Sequence, residues 1–213
     1  MTSTDQSLVS TETGHAPASA HAAPAAWGNS APLALAAFAV TTFMLSMINA
    51  NLVNAGVTPV VFGVAFMFGG LTQLIAGIIQ FRSGNTFTGV LFSTFGAFWL
   101  SLFAIAQFFL KDIPAAQAGH ALGLFLYAFG IFTVWIWFAS FRTNAVVVAA
   151  LAFLAITFFV LGAGNYTAST GLVHFGGYLG LLVAAMAAYL SCAELCEASY
   201  HRPVLPVWPL ARH

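Results

Sequence analysis

Charge is nearly missing from the middle of this chain. Between Pro32 and Leu190 only Arg82, Lys111, Asp112 and Arg142 carry it, and charged residues are 5% of the 213. Soluble domains are about a quarter charged, so a water-facing surface around this interior is excluded. Net charge is zero, which leaves no basic face for nucleic acid and no electrostatic hold for a peripheral partner. Cysteine is equally scarce. Cys192 and Cys196 are the only two; they cannot build a disulfide framework and read as reduced thiols in helix packing. A Ser-His-Asp set, paired carboxylates, a phosphate-binding loop and zinc spacing are all missing, so no enzyme, metal or cofactor is expected. No basic start with an apolar run precedes Trp27, and a signal peptide is not expected.

What is present is long apolar sequence. The four charges fall in short gaps and cut the chain into six runs: Leu33–Val53, Val60–Phe81, Phe87–Leu110, His120–Phe141, Ala145–Ala163 and Gly171–Cys192. A hydrocarbon core of about 30 Å needs about 20 helical residues, and each run meets that length. The runs do not alternate apolar with polar, which rules against a barrel, and helices satisfy their own amides in lipid. The expected fold is an all-α integral membrane protein with six transmembrane helices in one bundle.

Six spans place both chain ends and the Arg82 and Arg142 joints on one side. That side then holds Arg82, Arg142, Arg202 and Arg212, and the other only Lys111. The positive-inside rule makes the first side cytoplasmic. Residues 1–28, rich in Ala, Ser, Thr and Pro, read as a disordered cytoplasmic tail; residues 29–206 as the membrane domain; residues 207–213 as a C-terminal tail. His15 and His21 are too sparse in such a tail to hold a metal. Asn54-Ala55-Gly56, Ser83-Gly84-Asn85-Thr86 and Gly162-Ala163-Gly164-Asn165 mark joints, and Lys111–Gly119 is the longest loop. The pieces Phe68-Gly69-Gly70 and Phe175-Gly176-Gly177, with Gly84-Asn85 and Gly164-Asn165, faintly echo one another, as halves of an inverted repeat would.

Polar residues inside the runs are few and ordered. Phe38, Thr42, Ser46 and Asn49 share a stripe of the first span; Gly69, Gln73, Gly77 and Gln80 share a face of the second. Small residues four apart let membrane helices approach closely. Thr and Ser can bond back to their own helix, whereas Asn49 and Gln73 serve equally well as interhelical glue or as the lining of a path. No Asp, Glu, Lys or Arg lies inside any run; Glu194 and Glu197 at the end of the sixth are the nearest acids. That argues against strong cation binding at the midplane and for a small, weakly hydrated solute. His120 and His174 open spans on the outer side, where His174 could serve as a pH-sensitive group at a pore mouth.

The ordered motifs resemble those of the acetate uptake transporter family, which includes bacterial succinate–acetate permeases and fungal acetate carriers. Asn29-Ser30-Ala31-Pro32-Leu33-Ala34-Leu35 is similar to its Asn-Pro-Ala-Pro-Leu-Gly-Leu signature. Thr41-Thr42, Gly69-Gly70-Leu71-Thr72-Gln73, Gly84-Asn85-Thr86-Phe87, Phe98-Trp99-Leu100, His174-Phe175 and Val204-Leu205-Pro206 continue the match, from about Trp27 to Pro206. The resemblance implies a homohexamer in the cell membrane, each protomer moving acetate, related monocarboxylates and succinate inward, by proton symport or as an anion channel. It also implies a hydrophobic constriction, which falls on Phe38, Phe95 and Leu154. Such a ring gates by dewetting. Thr42, Asn49, Gln73 and His174 are the candidate substrate path, and Asn29, Ala31, Pro32 and Leu33 the signature. Three departures stand out: Ser30 and Ala34 in place of Pro and Gly, expected to loosen the start of span one; Phe95 in place of Tyr; and Ile48 where some bacterial members have His. The rival readings are a channel for another small solute such as ammonia, and a membrane scaffold or sensor.

Overall fold

The computed structural model describes residues 27–210. The tail expected over residues 1–28, with His15 and His21, falls outside them save for Trp27 and Gly28, as does Arg212. Six helices are long and apolar enough to cross a membrane: α1 Ala31–Asn49, α2 Ala55–Arg82, α3 Thr86–Asp112, α4 Ala115–Ser140, α5 Ala145–Tyr166 and α6 Thr170–Tyr200. No β-strand occurs among the described residues. The protein is an all-helical, multi-pass membrane protein, and its outer face is a belt of exposed Leu, Ile, Phe and Trp side chains of the kind that lipid covers.

Neighbours in the bundle run α4–α5–α6–α1–α2–α3, with α1 against both α6 and α2. Glycine makes these approaches possible. A Cβ on Gly69 would stand 2.6 Å from Thr41 Oγ1, and one on Gly177 2.6 Å from the Asn49 carbonyl carbon, so α2 presses against the middle of α1 and α6 against its C-terminal end. The α3–α4–α5 side closes through rings instead: Phe98 stacks on Phe125 at 5.2 Å and meets Phe158 edge-on at 5.2 Å.

Local chemistry sets the joints. Gly84 takes φ 81° in the α2–α3 turn, a left-handed position that costs glycine nothing. Asn144 caps α5 by accepting from the Val147 amide at 3.0 Å. The helices overrun the expected spans at several ends. α6 continues past Cys192 to Tyr200 and takes in Glu194 and Glu197, and α5 carries on through Gly162 and Gly164 to Tyr166. At about 1.5 Å per residue, 31 residues of α6 span about 46 Å, well beyond a core of about 30 Å, so its last turns stand clear of lipid. The expected loop Lys111–Gly119 is shorter than read, because α4 starts at Ala115. The C-terminal segment is also no free tail over the described residues. Tyr189 Oη donates to the Pro206 carbonyl at 2.7 Å, and residues 208–210 bond Thr143 and Ala145 across the α4–α5 turn.

Candidate functional site: two cavities and an aromatic partition

Two of the bundle's cavities adjoin, one nearer the chain ends, called the inner, and one nearer the opposite end, called the outer. The inner one, about 50 Å³, opens toward the chain-end half and is lined by Leu35, Gln73, Leu91, Phe95, Val147 and Val183 among others. The outer one, about 240 Å³, is lined by Thr42, Ser46, Asn49, Trp99, Thr157 and Asn165 among others. Phe38 and Leu154 line both, so these two side chains form the wall between them. Phe95 completes the wall from α3, edge-on to Phe38 at 5.5 Å and stacked with Phe158 at 6.2 Å. All four are buried.

The sequence-read residues fall into three groups. Phe38, Phe95 and Leu154 meet at the partition, from α1, α3 and α5. The whole α1 stripe of Phe38, Thr42, Ser46 and Asn49 faces the outer cavity, while Gln73 reaches the inner one. His174 lines neither cavity; it is half-buried, and its neighbour Val173 takes the lining position. His120 is held at the surface by Gln117 at 3.0 Å and by stacking on Tyr166 at 4.4 Å. No cluster of His, Cys, Asp and Glu able to hold a metal occurs among the described residues.

The signature motif is a latch, built by hydrogen bonds at the chain-end face. Asn29 Oδ1 accepts from the Ala31 amide at 3.0 Å, which starts α1, and Pro32 occupies its first turn. Asn29 Nδ2 donates to Glu194 of α6 at 3.0 Å, and Ser191 Oγ donates to the Pro32 carbonyl at 2.7 Å. The buried Gln80 amide joins Asn29, Ser30, Asn85 and Thr88, tying α2 and α3 to the same knot. Ser30 is not the loosening element expected. Its hydroxyl donates to the Ala76 carbonyl at 2.8 Å, and Ala34 is fully buried. Leu33, by contrast, is exposed.

Four buried polar atoms make no hydrogen bond: Thr42 Oγ1, Gln73 Oε1, Ser93 Oγ and Trp99 Nε1. Thr42 and Trp99 belong to the lining of the outer cavity and Gln73 to that of the inner, while Ser93 lines neither. Leaving such a group unpaired costs about 1–3 kcal/mol. Trp99 and Phe158 were not read as site residues. Trp99 entered only within the family-matching run Phe98-Trp99-Leu100, and nothing in its neighbours says that its indole N–H goes unpaired. Phe158 was legible in principle, since it stands one turn after Leu154 on the same helix face.

Comparison with known proteins gives the geometry its kin. A family model described as the GPR1/FUN34/yaaH family matches residues 12–212. The succinate-acetate/proton symporter SatP of Escherichia coli K12 is 34% identical over 185 residues, which cover 84% of this chain and 94% of that protein. The ammonia transport outward protein 2 of Saccharomyces cerevisiae is 37% identical over 203 residues, covering 93% of this chain and 70% of that protein. Among solved structures, that of the bacterial acetate channel SatP matches with a TM-score of 0.79 at 30% identity, covering 85% of this chain and 99% of that one. With the model match spanning almost the full length and the helical bundle shared, the chain belongs to the GPR1/FUN34/yaaH family.

Proposed function

We propose that this protein takes up acetate and related short carboxylates, succinate among them, across the cell membrane. The observation that carries the reading is the partition. Two cavities, the outer with Thr, Ser and Asn side chains in its wall and the inner apolar save for Gln73, approach each other through the bundle and are separated by apolar side chains of Phe38, Phe95, Phe158 and Leu154. A barrier of this kind passes a small solute that sheds water easily and stops hydrated ions. The kinship with a succinate-acetate/proton symporter and an acetate channel supports the substrate class. Both move solutes without chemical conversion, and the reading is a transporter rather than an enzyme.

In this reading Phe38, Phe95 and Leu154 are the constriction, Thr42 and Asn49 receive the acid on the outer side, and Gln73 meets it on the inner side. The chain-end face is cytoplasmic, since Arg82, Arg142 and Arg202 stand there against Lys111 opposite. The exposed apolar belt suits both lipid and neighbouring protomers of a homohexamer. A second reading, ammonia movement, is favoured by one observation: the similarity to the ammonia transport outward protein 2.

Labelled acetate uptake into proteoliposomes, with and without an imposed inward proton gradient, tests the proposal. Accumulation above equilibrium only with the gradient means proton symport; equilibration without concentration means a channel. Uptake no faster than into protein-free vesicles ends the acetate reading. Competition by ammonium but not by propionate would replace it with the second.

A further inference from the structure

A third cavity, of about 260 Å³, lies between the second half of α3 and the start of α4. Leu102, Ile105, Ala106, Phe109, Leu110 and Ile113 line it from the α3 side, at the offsets of one continuous helix face. Phe62 of α2 and Leu122 of α4 stand across from them, and every lining residue is apolar. None of the lining side chains is fully buried, and Phe109 is 59% exposed, so the cavity opens at the surface that faces lipid. An apolar helix face of this length normally packs on a neighbour. Here α3 turns π-helical over Ile105–Phe109, and that stretch packs closely on no other helix.

The surroundings say what fills such a space. A buried water needs several polar partners, and this lining offers none. An apolar cavity of about 150 Å³ stays dry and takes a benzene-sized guest, so this larger one takes a longer apolar segment. At about 1.5 Å per residue the face from Leu102 to Leu110 runs roughly 12 Å, most of the depth of one leaflet in a core about 30 Å thick. Its rim carries charge of both signs. Lys111 and Asp112 follow Leu110 in one 3₁₀ turn, both exposed, and Lys111 is the only Lys or Arg between Arg82 and Arg142. A zwitterionic phospholipid has this layout: an acyl chain below, then a phosphate for the Lys111 ammonium and an amine for the Asp112 carboxylate. The groove between α1 and α2 at Phe43, Met47 and Val60 is also apolar, yet no charged residue lies in the chain from Pro32 to Phe81.

We propose that the α3–α4 cavity binds one acyl chain of a zwitterionic phospholipid from the leaflet on the Lys111 side, with Lys111 and Asp112 holding its headgroup. Phe62, Leu102 and Leu122 line both this cavity and the outer one. The bound chain therefore backs a wall of the outer cavity and fixes its shape. The site goes beyond the transport reading and does not depend on which solute crosses the protein.

The test uses the full chain in phosphatidylglycerol nanodiscs that contain a trace of phosphatidylethanolamine with a photoactivatable diazirine midway along one acyl chain. After irradiation, peptide mass spectrometry should find adducts on Ile105, Ala106, Phe109 or Ile113. They should exceed several-fold those on Phe175, which is 54% exposed on α6, and those in the α1–α2 groove. A phosphatidylglycerol probe with the same chain should label the cavity several-fold less. Ala106→Leu fills the cavity and should remove the Phe109 adduct, while Lys111→Gln with Asp112→Asn should abolish the difference between the two probes. Adducts spread evenly over the apolar belt mean annular lipid only and overturn the site. Labelling of Phe109 that survives in folded Ala106→Leu does the same, and if that variant fails to fold the wild-type pattern decides. Equal labelling of the wild type by the two probes overturns the role of Lys111 and Asp112. Copy-to-copy cross-links through this face in place of lipid adducts give it to a second protomer and overturn the proposal.

Discussion

Leu154→Ala puts the heaviest demand on the two-cavity geometry, because Leu154 touches both cavities and is only 6% exposed. Truncation takes three carbons out of the wall and leaves Phe38 and Phe95, 5.5 Å apart, with only Phe158 to back them from α5. In a soluble core that change costs about 2–5 kcal/mol. Here cavities already flank the side chain, and lipid offers no hydrophobic drive for packing, so the low end, about 2 kcal/mol, is expected. The effect on passage is larger for longer acids. Forcing extra methylenes past a packed wall costs about 1–3 kcal/mol, and relief of about 1–2 kcal/mol shifts a rate ratio roughly 5–30-fold.

The assay is uptake of labelled acetate and butyrate in parallel into proteoliposomes, scored as the ratio of initial rates. The butyrate-to-acetate ratio should rise roughly 5–30-fold in Leu154→Ala. Ile156→Ala, on the same helix but 48% exposed to the outside, should leave the ratio alone. A Leu154→Ala protein that still carries acetate with the wild-type ratio would refute the partition as the selective element. Loss of all uptake with intact folding would instead mean that the wall positions the acid rather than merely sizing it.

Two further substitutions test the scaffold. Gly177→Val places a branched side chain where even a Cβ would stand 2.6 Å from the Asn49 carbonyl carbon, so α6 must part from α1; we expect lost monodispersity on size-exclusion chromatography, and a well-behaved variant would show that the approach is dispensable. Asn144→Ala removes the α5 cap to the Val147 amide, a loss of about 1 kcal/mol that lowers the melting temperature by roughly 2–4 °C, with Asn144→Asp restoring it.

The number of spans was legible because the four interior charges sit only at helix ends or in joints, and a charge in the middle of a span is too costly in lipid. Helix ends were not legible by the same signal. Hydropathy falls silent where α6 leaves the bilayer, yet Ala193, Glu194, Leu195 and Glu197 are good helix formers and carry the helix on to Tyr200. The π-helical stretches Ala65–Thr72 in α2 and Ile105–Phe109 in α3 were invisible too. Such turns answer to packing, here the crowding of Gly70 against Leu100, and not to local propensity. On the candidate site, the α1 stripe was readable because helical spacing alone puts Phe38, Thr42, Ser46 and Asn49 on one face. Trp99 was not, since whether an indole proton finds a carbonyl depends on which helix lies opposite.

The partition also bears on the charge state in which an acid crosses. Arg82, Lys111 and Arg142 sit at helix ends or in joints, and the wall itself is Phe and Leu, so no cation accompanies a carboxylate through it. Burying an uncompensated carboxylate costs at least several kcal/mol even after relaxation. Protonating it first, for a carboxyl with a pKa near 4.3 at pH 7, costs about 4 kcal/mol. The neutral acid is the cheaper passenger unless the donors on either side hold the anion across the whole wall. The two routes differ in sign and slope with pH. If the neutral form crosses, uptake at fixed total acetate well below saturation rises about ten-fold for each unit the pH falls, and levels off near the acid's own pKa. Measured above the leak of protein-free vesicles between pH 8 and 6, a flat profile would refute neutral crossing. It would leave Thr42, Asn49 and Gln73, beside the wall, to carry the anion by hydrogen bonds alone.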